Sequence, residues 1–302
     1  MDRRSPWTPL ELVRWTAGYF KDHQIESARS EAEILLAHTL GARRIDLYLN
    51  HDQPLCDDEL ARFKSYIKRR VASEPVAYIT GLREFWSLEL AVNPSVLIPR
   101  PETECLVEAV LPFLDAATRS PKRVLEMGAG SGAIVIVLAH EHPEHRYMAM
   151  DRSAAALQTA RENARTHQVD DRIAWFCGDW DAALAPGREI FDLIVSNPPY
   201  IRSGDMSSLQ PEIRNHEPEM ALDGSGDGLA CLRQIIDSAH RYLRPGGLVA
   251  LEMGYDQKAD IQAIVAAVGQ YRSPKILKDY SGRDRVAVMA KKGLRPKTNF
   301  GK

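Results

Sequence analysis

Two stretches of this sequence carry residues suited to group-transfer chemistry. The first is Gly128-Ala129-Gly130-Ser131-Gly132, which follows the apolar run Val124 to Met127 and precedes a helical stretch from Ala133. A glycine loop between strand and helix lets an adenosine-type cofactor approach the backbone closely. The loop alone is ambiguous, because Gly128, Gly130 and Ala133 also satisfy the dinucleotide pattern G-x-G-x-x-G/A. Asp151 ends the next apolar run, where a carboxylate can accept from both hydroxyls of a ribose. Glu126 lies two residues before the first glycine, a poor neighbour for pyrophosphate and a good one for the ammonium and sulfonium cations of S-adenosylmethionine. The charge pattern therefore favours a methyl donor over NAD.

The second stretch is Asn197-Pro198-Pro199-Tyr200, after the apolar run Phe191 to Ser196. Each proline holds the residue before it extended, so the loop is stiff and its carbonyls have fixed directions. The Asn197 side-chain carbonyl and the Pro198 backbone carbonyl can each accept one hydrogen from a planar NH2 group, with Tyr200 on its face and the nitrogen aimed at the sulfonium methyl. No strong general base is needed, since the leaving thioether is neutral and the proton can depart after transfer; orientation and desolvation supply the rate.

Elements that would hold these loops can be traced by periodicity. Between Thr8 and Arg70 apolar residues recur at helical spacing, as in Leu12, Trp15 and Tyr19 or Leu60, Phe63 and Ile67. Thr8-Pro9 reads as a helix start and Gly41 as a stop. This predicts a helical N-terminal domain over 1–73. Alternating aromatic residues broken by Gly81 and Asn93 predict a β-hairpin connector over 74–101. Across 102–290 strand runs at Val124, Tyr147, Ile173, Phe191 and Leu248 alternate with helices from Ala133, Ser153, Leu229 and near Ile261, and two final strands lie near Ile276 and Val286. That alternation predicts an α/β fold, a mostly parallel doubly wound sheet with its crevice at the strand carboxyl ends. Residues 291–302, with five basic and no acidic side chains, read as a solvated tail.

Composition removes several classes of function. The chain has 302 residues, 44% hydrophobic and 26% charged, which is ordinary globular usage. Its net charge is -2, and residues 1–75 hold 12 basic and 12 acidic side chains, so no polycationic footprint for a nucleic-acid backbone is present. Cys56, Cys105, Cys177 and Cys231 are scattered without a Cys-x-x-Cys pair, arguing against zinc and disulfides and for a reducing cytoplasm. No signal peptide or membrane span is expected. His140, His142 and His145 have metal-like spacing but read as a solvated helix end beside Pro143, and no metal is expected. Asp223 to Gly228 resembles the start of a calcium loop, but Ser225 and Gln234 occupy positions that need acidic ligands.

The glycine loop, Asp151 and the Asn-Pro-Pro-Tyr string together resemble the class I S-adenosylmethionine-dependent methyltransferases that act on planar NH2 nitrogens, whose sheet is Rossmann-like. Further strings are similar to one branch: Glu74-Pro75-Val76-Ala77-Tyr78-Ile79-Thr80-Gly81, Arg83-Glu84-Phe85-Trp86, Ile98-Pro99-Arg100-Pro101-Glu102-Thr103-Glu104, and Glu217-Pro218 leading to Ala221-Leu222-Asp223-Gly224. These resemble the HemK/PrmC glutamine methyltransferases of peptide-chain release factors. The resemblance implies methylation of the glutamine side-chain amide in the factor's Gly-Gly-Gln motif, with S-adenosylhomocysteine as product and the helical domain holding the protein substrate. It implies a donor site at Glu126, Gly128, Ala129, Gly130, Ser131, Gly132, Asp151, Asp179, Trp180 and Asn197, with Trp180 stacked on adenine. It places the glutamine at Asn197, Pro198, Pro199 and Tyr200, of which Asn197, Pro198 and Tyr200 are the expected catalytic residues. Glu126-Met127 stands where Asp-Leu is the commoner pair in that branch. A sister branch acting on a ribosomal protein has Pro-Arg-Ser-Pro where this chain has Pro99-Arg100-Pro101-Glu102. An adenine amino-methyltransferase on DNA or RNA is a further alternative, since adenine offers the same planar NH2 and can be flipped into a pocket. A donor-binding module that regulates translation without catalysis is the reading from a different class.

Overall fold

The computed structural model describes residues 7–115, 121–185 and 187–293. Among the described residues five helices come first: α1 (Pro9–Asp22), α2 (Ala28–Leu40), α3 (Asp46–Leu49), α4 (Asp57–Val71) and α5 (Val76–Thr80). Glu11 fixes the start of α1 by accepting from the Thr8 amide at 3.0 Å, and Gly41 ends α2 in the left-handed conformation that only glycine adopts freely. The buried stripe of α1 is Leu12, Val13, Thr16 and Phe20. Trp15, assigned to the apolar face by its spacing, is instead 50% exposed and stacks on Tyr19 at 5.2 Å, because Phe20 and Thr16 already fill the inward positions. The core of these helices is built from Leu35, Leu36, Leu47, Phe63, Ile67 and their neighbours.

A two-stranded hairpin, β1 (Leu82–Phe85) and β2 (Leu88–Ala91), leads to α6 (Glu104–Asp115). Then follow β3 (Arg123–Met127), α7 (Ala133–Glu141), β4 (Arg146–Asp151), α8 (Ala154–Thr166), β5 (Ile173–Cys177), β6 (Phe191–Ser196), α9 (Pro211–His216), α10 (Ala230–Ala239), β7 (Leu243–Glu252), α11 (Lys258–Val268), β8 (Lys275–Lys278) and β9 (Asp284–Ala290). The chain divides into two compact units. One comprises residues 1–82 with 210–216, and therefore α1 to α5 and α9; the other comprises 83–209 and 217–302.

In the second unit seven strands form one sheet in the order β5-β4-β3-β6-β7-β9-β8. The first five in that order are parallel, and β9 runs antiparallel to both β7 and β8. Both faces are apolar, as a sheet covered by helices on each side requires. Val124, Leu193, Val195 and Ala250 point into one core with residues of α6 and α7, while Leu125, Ile194, Val249 and Leu251 point into the other with α10 and α11. The strand order reverses direction at β3 and β6, the switch point where a ligand crevice opens at the carboxyl ends.

Two local expectations need correction, and one helix forms across a proline. Val76–Thr80 is helical rather than part of a hairpin, because Pro75 starts a turn that Gly81 closes at φ 76°. Lys291 is not tail: it is buried and its Nζ lies 2.6 Å from Glu189 and 2.9 Å from the Leu243 carbonyl, while residues 294–302 lie outside the described residues. Helix α6 runs through Pro112, a residue that in sequence argues against a helix.

Candidate active site

A cleft with about 930 Å³ of space between atoms, partly open to solvent, lies in the second unit at the carboxyl ends of β3, β4 and β6. Glu126, Gly128, Ala129, Gly130, Ser131, Asp151, Asp179, Trp180, Asn197 and Pro199 all line it, so residues spread over 74 positions of sequence come to one place. Gly132, Pro198 and Tyr200 do not line it.

The glycine loop is tied down by its own backbone. The amides of Gly128 and Ala129 both donate to the Met150 carbonyl at 2.9 Å, and Gly132 donates to Ala129 at 2.7 Å. Its contribution to the cleft is clearance more than hydrogen bonding. Gly132 caps α7 with φ 81°, and a Cβ there would come within 2.9 Å of Ile136 and 3.1 Å of Ala160, so this glycine serves helix packing. Gly128 has φ 74°, and the Trp180 ring sits 3.7 Å from where its Cβ would be. Trp180 itself holds φ 45°, an uncommon left-handed conformation for a large side chain. Asp179, exposed on the rim, precedes it.

Asp151 accepts from the Gly130 amide through Oδ2 at 2.9 Å and from the Ser153 amide through Oδ1 at 2.8 Å. Two of roughly four lone-pair directions are thus occupied, leaving acceptor capacity toward the cleft. Glu126 is fully buried, and its Oε2 accepts from the Val135 amide in the first turn of α7 at 2.9 Å. Burial drives its carboxyl well above the usual carboxylate range; the Val135 bond works in the other direction and the nearby Asp151 charge adds to the rise. A donor carrying positive charge, ribose hydroxyls and an aromatic base fits this set: a buried carboxylate, an Asp with spare acceptors and an indole.

The Asn-Pro-Pro-Tyr loop is joined to the donor side by Ser196, whose hydroxyl donates to the Met127 carbonyl at 2.6 Å. Asn197 Nδ2 donates to Thr103 Oγ1 at 3.2 Å, and Thr103 Oγ1 lies 2.7 Å from Glu252 Oε2. The Tyr200 hydroxyl donates to Glu252 Oε1 at 2.9 Å, with Arg285 Nη1 at 3.4 Å. Burial and the Glu252 charge push the Tyr200 phenol well above its ordinary range, and burial raises Glu252.

Several residues in this site carry no signal in the sequence alone. The Asp223 to Gly228 segment, dismissed as a calcium loop, is a brace for the acceptor loop: Ile201 and Asp223 form a bridge, and Gly224 N donates to Ile201 O at 2.8 Å. A Cβ on Gly228 would sit 2.5 Å from the Tyr200 carbonyl, and one on Gly224 2.8 Å from Tyr200 Cα. Buried Gln257 donates to the carbonyls of Tyr200 at 3.0 Å and Gly228 at 3.1 Å. Glu217 pairs with Arg100 and accepts from the Ile98 amide at 3.1 Å, fixing the Pro99-Arg100 stretch of the rim. His142, Glu144 and His145 bring ligand atoms within 4.8 Å of one another, but the His145 ring nitrogens face the Leu114 carbonyl and the Lys122 amide.

Comparison with known proteins agrees with this geometry. Residues 11–81 match the PrmC N-terminal domain and residues 104–214 the methyltransferase small domain. The chain is 40% identical to the release factor glutamine methyltransferase of Geobacter sulfurreducens, over 93% of this chain and 95% of that protein. It is 39% identical to the protein of the same name from Caulobacter vibrioides, over 94% and 98%. The solved structure of the hMettl16 catalytic domain, in complex with MAT2A 3'UTR hairpin 6, aligns with TM-score 0.56 at 16% identity, covering 74% of this chain and 81% of that one, a likeness of fold. The fold is that of the class I S-adenosylmethionine-dependent methyltransferases, a mostly parallel sheet with flanking helices, here with a helical N-terminal domain. With two relatives of that name matched over nearly their whole length, the chain belongs to the release factor glutamine methyltransferase family.

Proposed function

We propose that this protein transfers a methyl group from S-adenosylmethionine to the side-chain amide nitrogen of the glutamine in the Gly-Gly-Gln motif of a peptide-chain release factor. The observation that carries the reading is the place of Asn197: it lines the same cleft as Asp151 and Glu126, and its amide nitrogen is held by Thr103. When bound, S-adenosylmethionine supplies an electrophilic methyl on a sulfonium, leaving S-adenosylhomocysteine. Asp151 holds the ribose hydroxyls, Trp180 covers the adenine side, and Glu126 opposes the donor's positive charge, with Asp179 and Gly128 to Ser131 completing the wall. Asn197 Oδ1 and the Pro198 carbonyl accept the two hydrogens of the glutamine NH2 and so turn the nitrogen lone pair toward the methyl. The amide proton is lost after transfer, so no residue of the cleft has to act as a strong base.

The helical unit is assigned to holding the release factor. Four free cysteines support a cytoplasmic reading; among the described residues no helix is long and apolar enough to cross a membrane. Incubation with methyl-labelled S-adenosylmethionine and a purified release factor, with peptide mapping by mass spectrometry, should put the label on the Gly-Gly-Gln glutamine. Label found only on a ribosomal protein or on adenine would move the assignment to those substrates, and donor binding without transfer to any of them would favour a non-catalytic module.

A further inference from the structure

We infer that Thr103 and Glu252 decide which end of the Asn197 amide faces the acceptor, and that both are positioning residues for transfer. The inference rests on the assignment of Asn197 as the acceptor for the glutamine NH2. A carboxamide has two ends of nearly equal size, one that accepts hydrogen bonds and one that donates them. Only the accepting end can hold an incoming NH2. Nothing in Asn197 itself makes that choice, so its surroundings must.

The surroundings are a chain of hydroxyls ending on a buried carboxylate. Thr103 is 4% exposed and Glu252 1%. Glu252 Oε2 faces the Thr103 hydroxyl at 2.7 Å and Oε1 faces the Tyr200 hydroxyl at 2.9 Å, so both of its oxygens are turned toward O–H groups. Both hydroxyls donate here, Thr103 Oγ1 to Oε2 and the Tyr200 hydroxyl to Oε1, so Glu252 is the acceptor of both. Thr103 has one proton, and it is used on Glu252; what remains toward Asn197 is a lone pair. Asn197 must then present its NH2 to Thr103, as the 3.2 Å contact shows, and its carbonyl is the end left over for the cleft. The reversed amide would set oxygen against oxygen at Thr103 and offer a donor to a donor in the cleft. Burial raises the Glu252 carboxyl; the hydrogen bonds from Thr103 and Tyr200 work against that rise, as does the positive charge of Arg285, which lies 3.4 Å from the Tyr200 hydroxyl and is paired with Asp279 at 3.2 Å. Three separate parts of the chain meet here: the turn Pro101–Thr103 before α6, the end of β6, and the last residue of β7.

The test compares Thr103→Val, Thr103→Ala and Thr103→Ser with the wild-type full chain. Donor affinity is measured by calorimetry, fold by thermal melting, and kcat and KM on a purified release factor with labelled S-adenosylmethionine. Loss of the hydroxyl in Thr103→Val or Thr103→Ala should lower kcat by about tenfold or more while donor Kd stays within about twofold, and Thr103→Ser should restore most of the lost kcat. Unchanged kcat in a folded hydroxyl-free variant overturns the inference. So does a Thr103→Ser variant as slow as Thr103→Val, a parallel loss of donor affinity, or failure of both hydroxyl-free variants to fold, each of which makes Thr103 a packing or donor contact. Should the wild-type protein itself place no label on the release-factor glutamine, the assignment of function fails first and the inference with it; activity in the wild type with no effect at Thr103 removes the inference alone.

Discussion

At Asp151 the carboxylate already accepts from Gly130 and Ser153, so it both shapes the glycine loop and keeps acceptors for a ribose. Asp151→Ala should weaken donor binding by on the order of 2 to 4 kcal/mol, read by calorimetry. A folded variant with unchanged donor affinity would reduce Asp151 to a local cap. Glu126 gives a prediction with a pH signature. Burial raises its carboxyl above the ordinary value in the folded chain, so above that ordinary value the unfolded chain releases a proton that the folded chain retains. Stability is therefore lost as pH rises from the usual carboxylate range toward the raised one. Glu126→Gln, which keeps an acceptor for Val135, should melt higher than wild type without donor, with a gap that widens as pH rises through this window and closes in acid. The same variant should bind donor more weakly, since it cannot ionise to oppose the donor's positive charge as the wild-type carboxyl can. A melting difference independent of pH would show that Glu126 does not titrate differently in the fold.

Among the elements, the brace from Asp223 to Gly228 holds the acceptor loop chiefly through its backbone. Gly228 combines φ 74° with a Cβ position 2.5 Å from the Tyr200 carbonyl, so alanine is disfavoured both by conformation and by contact with a backbone that cannot swing aside. Gly228→Ala should destabilise the protein by roughly 1 to 3 kcal/mol and slow turnover about tenfold, with a smaller effect on donor affinity. Urea melts and steady-state kinetics separate the two effects. Full activity in that variant would mean the acceptor loop needs no brace. The element also explains why a sequence reading discards it: judged by side chains it is a poor cation site, and its work is done by N–H, C=O and the absence of a Cβ.

On the scale of the whole molecule, the chain leaves the sheet unit after Leu209, contributes Gln210–His216 to the helical unit, and returns at Glu217. Arg70 secures that excursion. Its guanidinium lies 2.6 Å from Glu31 and 2.5 Å from Glu212, with 8% of its side chain exposed. Arg70→Met leaves two carboxylates without their shared partner and should destabilise the helical unit by roughly 1 to 3 kcal/mol, discounted for the partial exposure of both acids. Donor affinity should be unchanged, because every cleft residue belongs to the other unit, while KM for the release factor should rise. Equal damage to donor binding would contradict this division of labour.

The alternation of apolar runs and glycine turns determined most of the fold: the helix at Ala133 and the strands at Ile173 and Phe191 start where periodicity sets them, and the helix expected from Ser153 and the strand from Tyr147 start within one residue, because local hydrogen bonding and a two-sided apolar sheet leave few alternatives. That the glycine loop, Asp151 and Asn197 would meet was legible as well, since each ends or follows a strand whose carboxyl end opens on the cleft. Other features were settled only by tertiary structure. Trp15 faces outward because Phe20 and Thr16 take the inward positions of α1. The Tyr200 hydroxyl finds its acceptor in Glu252, 52 residues away. Thr103, Gln257 and Gly228 acquire their roles from partners 94, 57 and 28 residues distant. A sequence specifies such partners only through the packed sheet that brings the strand ends together, and the orientation of the Asn197 amide depends on where one buried carboxylate comes to rest.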